Sequence, residues 1–232
     1  MPPGGDAVSR SLVLGLGARG GTESGSGTRR RGTVAEIGPV VTMRDPLAEL
    51  LGALEPGGTF RYTYEDAVKL AGHSCPTVAG AYLMTAVALR GLYPDGVGVR
   101  GDLEVTMGGP PDDGGTGPMA QVIALLTGAA PQTGFGGLMG KFRRKDLLTF
   151  DPALRGQVRF RRVDTGAAVE VTYSPASVPP APEMSPLMVA ALGGRATAEE
   201  QRRFGALWQA RVRDILTGDP ARVVQLARTS EP

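Results

Sequence analysis

The chain holds one histidine and one cysteine, and they stand two residues apart, at His73 and Cys75. Pro76 follows directly, and proline is well placed in the first turn of a helix, where its missing N–H costs nothing. Cys75 therefore falls at the N-cap, where the positive end of the helix dipole favours thiolate, the form that ligates metal or attacks electrophiles. His73 supplies a neutral imidazole beside it, and a sulfur and nitrogen pair suits zinc or another late transition metal. Zinc needs three or four ligands, so the remainder would come from acids, water, a bound ligand or the same residues of a second copy of the chain. The plainer reading keeps Cys75 as a small apolar filler and His73 as a cap on the preceding helix.

The elements that must position this pair read as follows. Thr63 caps a short helix with Asp66 three residues on, Ala67 and Leu70 form its apolar face, and Gly72 stops it. The helix opening at Pro76 carries Val78, Ala79, Tyr82, Leu83, Ala86, Val87 and Leu89, apolar on nearly every side, which marks it as the buried centre of the fold. Upstream, Asp45 caps a helix with Pro46 at its first position and Leu47, Leu50, Leu51 and Leu54 at helical spacing.

Downstream the period changes to two. Val99, Leu103, Val105 and Met107 alternate with polar residues as a half-buried strand, and a second strand centres on Leu147–Phe150. Val158 and Phe160 face Val169, Val171 and Tyr173 across Asp164-Thr165-Gly166 as a hairpin. A helix carries Val122, Ile123, Leu125 and Leu126. After a proline-rich crossing (Pro175–Pro186), Thr197 and Glu200 form a capping box for a C-terminal amphipathic helix lined by Phe204, Leu207, Trp208, Val212, Ile215 and Leu216. Asp219-Pro220 starts a last helical turn or two. The expected fold is α+β: a single mixed sheet packed against the buried central helix and the C-terminal helix.

Two glycine-rich loops flank the first of these later helices. Gly108–Gly117 leads into it, and backbone amides near Thr116 could meet an anion; the loop lacks Walker A spacing, and Asp112 and Asp113 would repel phosphate, which favours a plain loop. Thr133–Gly140 sets apolar residues among glycines, as expected of packing over a pocket. Lys141, Arg143 and Arg144 follow, a solvated basic face or a hold for an acidic ligand.

Composition limits the function classes. Hydrophobic residues make up 41%, enough for a core, while 35 glycines and 19 prolines exclude a helical bundle. Residues 1–42 hold five arginines against three acids and no apolar period across Gly20–Gly32, reading as a disordered tail; Met43 reads as a natural beginning, as though the earlier stretch came from an upstream start. Residues 43–232 read as one domain with balanced charge. That balance and 5% aromatics speak against nucleic acid as a partner. The segment Ser11–Ala18 is short and glycine-broken, and Pro76–Leu89 falls below the roughly 20 residues that span a bilayer, so no membrane partner is expected. A single thiol suits a reducing, cytoplasmic setting.

The stretch Gly72-His73-Ser74-Cys75-Pro76-Thr77-Val78-Ala79-Gly80-Ala81-Tyr82 resembles the Gly-His-x-Cys-Pro opening of the FmdE-like family, proteins related to a component of formylmethanofuran dehydrogenase. The similarity continues through Leu125-Leu126-Thr127-Gly128 and from Gly140-Lys141 through Arg144 to Phe150. The resemblance implies a small α+β protein, commonly dimeric, with His73 and Cys75 as metal ligands. It also marks a divergent branch. Where that family's pattern has a cysteine, an aspartate and another cysteine, this chain has Pro118, Gln121 and Ala129, and a zinc ribbon is absent. Gln121, opposite the family's aspartate, is a candidate ligand-facing group.

The expected function is to hold a metal ion, zinc foremost, or a metal complex or small-molecule ligand through the His-x-Cys site, as a monomer or homodimer. The alternative is an enzyme, with metal-activated water or with Cys75 as nucleophile and His73 as base. A protein-interaction module within a larger complex is a further reading.

Overall fold

The computed structural model describes residues 37–229. Residues 1–36, most of the expected tail, lie outside them. The end of that stretch is part of the folded body: strand β1 (Val41–Arg44) starts ahead of Met43 and buries both Val41 and Met43.

A short helix α1 (Pro46–Leu50) follows, capped by Asp45 as its sequence implies, with Oδ1 accepting from the Leu47 and Ala48 amides. Strand β2 (Phe60–Tyr62) leads into α2 (Tyr64–Ala71), whose capping box joins Thr63 and Asp66. The long helix α3 (Pro76–Leu92) comes next, then β3 (Gly98–Val99), β4 (Leu103–Met107) and α4 (Thr116–Thr127). Strands β5 (Leu148–Phe150), β6 (Val158–Arg162) and β7 (Ala168–Tyr173) precede α5 (Met184–Leu192), α6 (Ala198–Thr217) and β8 (Val224–Thr229).

These strands make two mixed sheets rather than the expected one. The smaller is ordered β2-β1-β3, antiparallel on one side of β1 and parallel on the other. The larger is ordered β5-β4-β6-β7-β8, with β4 and β5 parallel and the other pairs antiparallel. The division has a local cause: the alternating run 99–107 does not stay in one sheet. It turns at Arg100–Asp102, with Gly101 at φ 83, so that Val99 ends β3 and Leu103 begins β4. The expected hairpin is present with the expected facing pairs, Phe160 opposite Val169 and Val158 opposite Val171.

Helix α3 is the centre. It packs against α2, α4 and α6 and against β7 and β8. Val78, Tyr82, Leu83 and Met84 are buried on successive faces, and Arg90 in the last turn is the one residue of this helix that is exposed. Burial of each large side chain contributes on the order of 1.5–3 kcal/mol. No helix among the described residues is long and apolar enough to cross a membrane.

Two further expectations are corrected, and the C-terminal reading is extended. Helix α5 begins at the end of the proline-rich crossing, and the last helical turn is present at Pro220–Arg222 as a 3-10 turn that leads into the unexpected β8. Leu70, expected on the apolar face of α2, is 44% exposed; Tyr64 and Ala67 are what that helix buries. The basic stretch is not uniformly solvated, because Arg144 is buried and pairs with Asp45 at 2.6 Å.

Candidate metal centre at the start of the central helix

Helix α2 ends at Gly72, whose φ of 73 is the left-handed conformation that glycine adopts without strain. This turns the chain so that three residues suffice to reach α3. His73 is exposed, and its Nδ1 lies 2.9 Å from the carbonyl oxygen of Ala71. A carbonyl only accepts, so Nδ1 carries the proton, and in the neutral ring Nε2 is left as a bare donor atom, the arrangement usual for a metal-binding imidazole.

Cys75 is the N-cap of α3, 8% exposed, and its Sγ accepts from the Val78 amide at 3.4 Å. The sulfur is thus anchored at the end of the helix where four amides lack helical partners. Among the described residues no hydrogen bond joins His73 to Cys75: each side chain has its own backbone partner.

The connector and the first residue of α3 are held from three directions, two of them by residues far away in sequence. Trp208 Nε1 donates to the Ser74 carbonyl at 2.8 Å, and Gln209 Nε2 donates to the same oxygen at 3.3 Å. Ser74 Oγ donates back to Gln209 Oε1 at 2.9 Å. From α2, the Tyr64 hydroxyl donates to Ser74 Oγ at 3.1 Å and lies 3.4 Å from the Cys75 carbonyl. From β7, the Tyr173 hydroxyl donates to the Pro76 carbonyl at 2.9 Å. Burial pushes the Tyr64 phenol up to about 12 and raises Tyr173 as well, so both remain neutral donors at physiological pH. Tyr173 also explains Gly80: a Cβ there would meet its ring at 2.5 Å.

The other proposed ligand-facing residues fall differently. Thr116 is buried at the first position of α4, and the neighbouring Gly115 approaches Thr77 in the first turn of α3, so the starts of α3 and α4 lie side by side. Gln121 is exposed on α4, and Lys141 is exposed in the loop beyond it. The loop 133–140 does not pack over a pocket with its apolar residues: Phe135, Leu138 and Met139 are 43%, 41% and 102% exposed.

The later motif residues build a separate interior feature. Asp45 pairs with Arg100 at 2.9 Å and with Arg144 at 2.6 Å, and Arg100 also donates to the carbonyls of Leu125 and Leu126. Arg144 lies close against Gly101 and Gly128, where Cβ atoms would meet its guanidinium. Burial lowers the Arg144 pKa, opposed by the Asp45 charge.

A model of the FmdE family, described as molybdenum formylmethanofuran dehydrogenase operon, matches residues 70–225. The chain belongs to this family. No curated protein matches it. The FmdE match runs from the last turn of α2 into β8, and so takes in His73, Cys75, the Trp208–Gln209 pair and Tyr173. It leaves out β1, α1, β2, Tyr64 and Asp45.

The donor set can be tested against a metal directly. No group of three or more His, Cys, Asp or Glu side chains that could hold a metal ion occurs among the described residues. The chain therefore offers one cysteine sulfur and one imidazole nitrogen, a soft pair fitting zinc or its neighbours in kind but incomplete in number.

Proposed function

We propose that this FmdE-family chain holds a late first-row transition metal ion, zinc foremost, or a metal complex, with His73 and Cys75 as its own ligands. The observation that supports this most is the state of the two donor atoms. Nδ1 of His73 is spent on the Ala71 carbonyl, which leaves Nε2 free, while Sγ of Cys75 sits at a helix N-cap. Both flank Ser74, which α6 holds by hydrogen bonds from Trp208 and to Gln209. A bound metal would supply Lewis acidity at that point; the remaining coordination positions fall to water, a small-molecule ligand or a second copy of the chain.

Elemental analysis of the purified wild type beside His73→Ala and Cys75→Ala tests the reading, with cobalt(II) titration as a spectroscopic companion. Stoichiometric metal in the wild type, a sulfur-to-metal charge-transfer band, and loss of both in each variant are expected. Equal metal content in all three proteins would overturn it. The alternative, Cys75 as nucleophile with His73 as base, requires a hydrogen bond from Sγ to Nε2, and among the described residues none joins the two side chains. Holding without turnover is accordingly the reading preferred here.

A further inference from the structure

All three non-glycine residues with positive φ among the described residues lie in one loop, the connection between α4 and β5: Met139 at 48, Phe142 at 61 and Asp146 at 61. Left-handed backbone is costly for methionine and phenylalanine, and such strain gathers where a fold holds a side chain for use. The loop is firmly built all the same. The Arg144 and Lys145 amides both donate to the Phe135 carbonyl, at 2.9 and 3.0 Å, and the Ala130 amide donates to the Arg144 carbonyl at 3.0 Å. A Cβ at Gly134 would meet the Ala130 side chain at 2.5 Å, and one at Gly137 the Lys141 carbonyl at 2.4 Å, so glycine lets the two arms close. At the tip Leu138 and Lys141 exchange backbone hydrogen bonds of 2.9 Å in both directions, with Met139 and Gly140 as the turn residues. Arg144 fastens the base to Asp45.

This stiff projection turns its apolar groups outward. Left-handed turn positions normally hold asparagine, aspartate or glycine. Here a methionine stands fully in solvent, with Phe135 and Leu138 half-exposed beside it. Lys141, Arg143 and Lys145 are exposed on the same loop. No acid occurs from Gly114 to Lys145; the first, Asp146, is at the base of the loop, where its amide donates to the Pro131 carbonyl at 3.3 Å.

We propose that this loop docks the protein on the surface of an anionic lipid bilayer. Phe135, Leu138 and Met139 enter the headgroup region, and Lys141, Arg143 and Lys145 meet the lipid phosphates. A projecting apolar tip with cations of one sign on its own loop suits a fluid, negatively charged layer, into which apolar side chains sink by about 5–10 Å. The contact is with one leaflet and needs no membrane-crossing helix. Span length, on which the expectation of no membrane partner rests, does not bear on it. The inference is independent of the metal reading, since the loop includes neither His73 nor Cys75.

Cosedimentation of the full chain with vesicles tests it, using phosphatidylcholine alone and phosphatidylcholine mixed in equal parts with phosphatidylglycerol. The wild type is expected on the mixed vesicles and not on the neutral ones, with binding that weakens as salt is added. Met139→Asn should weaken binding by about tenfold. The same variant should unfold at the wild-type temperature or above, because asparagine suits a left-handed turn. Lys141→Gln and Arg143→Gln should each weaken binding by about fivefold. Met139→Trp should gain a blue-shifted fluorescence on the mixed vesicles, over the constant contribution of Trp208, and brominated lipids should quench it. Wild type that stays off the mixed vesicles at low salt, or that binds neutral vesicles equally, would overturn the proposal. So would wild-type binding by Met139→Asn, which would give the contact to the arginines of residues 1–42, or a Met139→Trp emission that does not move. A wild-type oligomer that Met139→Asn dissolves would give the tip to a protein contact and overturn it too.

Discussion

At Cys75 one sulfur atom has two duties that a substitution can separate. It caps α3 through the Val78 amide, and in the proposed function it ligates a metal. Serine is a good N-cap and keeps the first duty; alanine keeps neither. Cys75→Ser should therefore unfold near the wild-type temperature yet lose the cobalt charge-transfer band. Cys75→Ala should lose the band and about 1 kcal/mol of stability, as measured by chemical denaturation of the metal-free proteins. A second single-residue outcome concerns Asp102. Burial, with the nearby Asp164 charge, raises its pKa above the ordinary 3.8. An acid with a raised folded-state pKa binds its proton more tightly folded than unfolded, so stability falls as pH rises through the folded value. Asp102→Asn should raise the melting temperature at neutral pH, with the gain fading as pH drops towards 3.8; a gain that is constant across pH would contradict this.

Among the elements, α6 matters most to the site, because its Trp208 and Gln209 converge on the single carbonyl of Ser74. Gln209→Ala removes one donor to that oxygen and the acceptor of the Ser74 hydroxyl, for about 0.5–1.5 kcal/mol per hydrogen bond lost. Amide exchange at residues 73–76 should speed up, and metal affinity should fall although both ligands are intact. Gln209→Glu, which keeps the acceptor, should fall between the two; exchange at the wild-type rate in Gln209→Ala would show that α6 does not restrain the connector. These contacts also show where reading residues in order succeeds. The N-cap at Cys75, the capping boxes at Thr63 and Thr197, the Gly72 stop and the β6–β7 hairpin are fixed by neighbours within a few positions, and each is readable from the sequence. The grip of α6 on Ser74 spans 134 and 135 residues and leaves no local trace beyond a lone tryptophan needing an N–H partner. Strand β3 has only two residues, and β1 alternates as Val41-Thr42-Met43-Arg44 but over just four positions, too few to stand out beside the tail before it. Strand β8 buries only its first residue and so displays no period at all. Helix α5 is hidden by Pro186 and by apolar residues that point outward.

Across the whole molecule, the interior ion pairs join parts of the chain that sequence order separates. Asp45 comes from the connection between β1 and α1, Arg100 from the turn between the two sheets, and Arg144 from the loop ahead of β5. Two guanidiniums share one carboxylate, so removing it strands both. Asp45→Ala should cost about 3–5 kcal/mol, the usual consequence of leaving a buried charge without its partner. It should also loosen the α1 cap, and denaturant unfolding followed by both circular dichroism and tryptophan fluorescence measures the loss. The double replacement of Arg100 and Arg144 by methionine in the Asp45→Ala background should recover part of it, since apolar groups of similar length need no counter-charge.

The same arrangement ties the family-matched region to residues ahead of it. Tyr82 of α3 reaches back to within 2.6 Å of the Pro39 carbonyl and 2.9 Å of that of Tyr62, and Arg144 leans on Asp45. All three of those partners precede residue 70, where the family resemblance begins. A recombinant piece trimmed to that boundary would discard the lid over its own hydroxyl and the counterweight to its own cations. Anyone cutting this protein down for crystallisation or binding assays should therefore start no later than Pro39 and keep β8 whole.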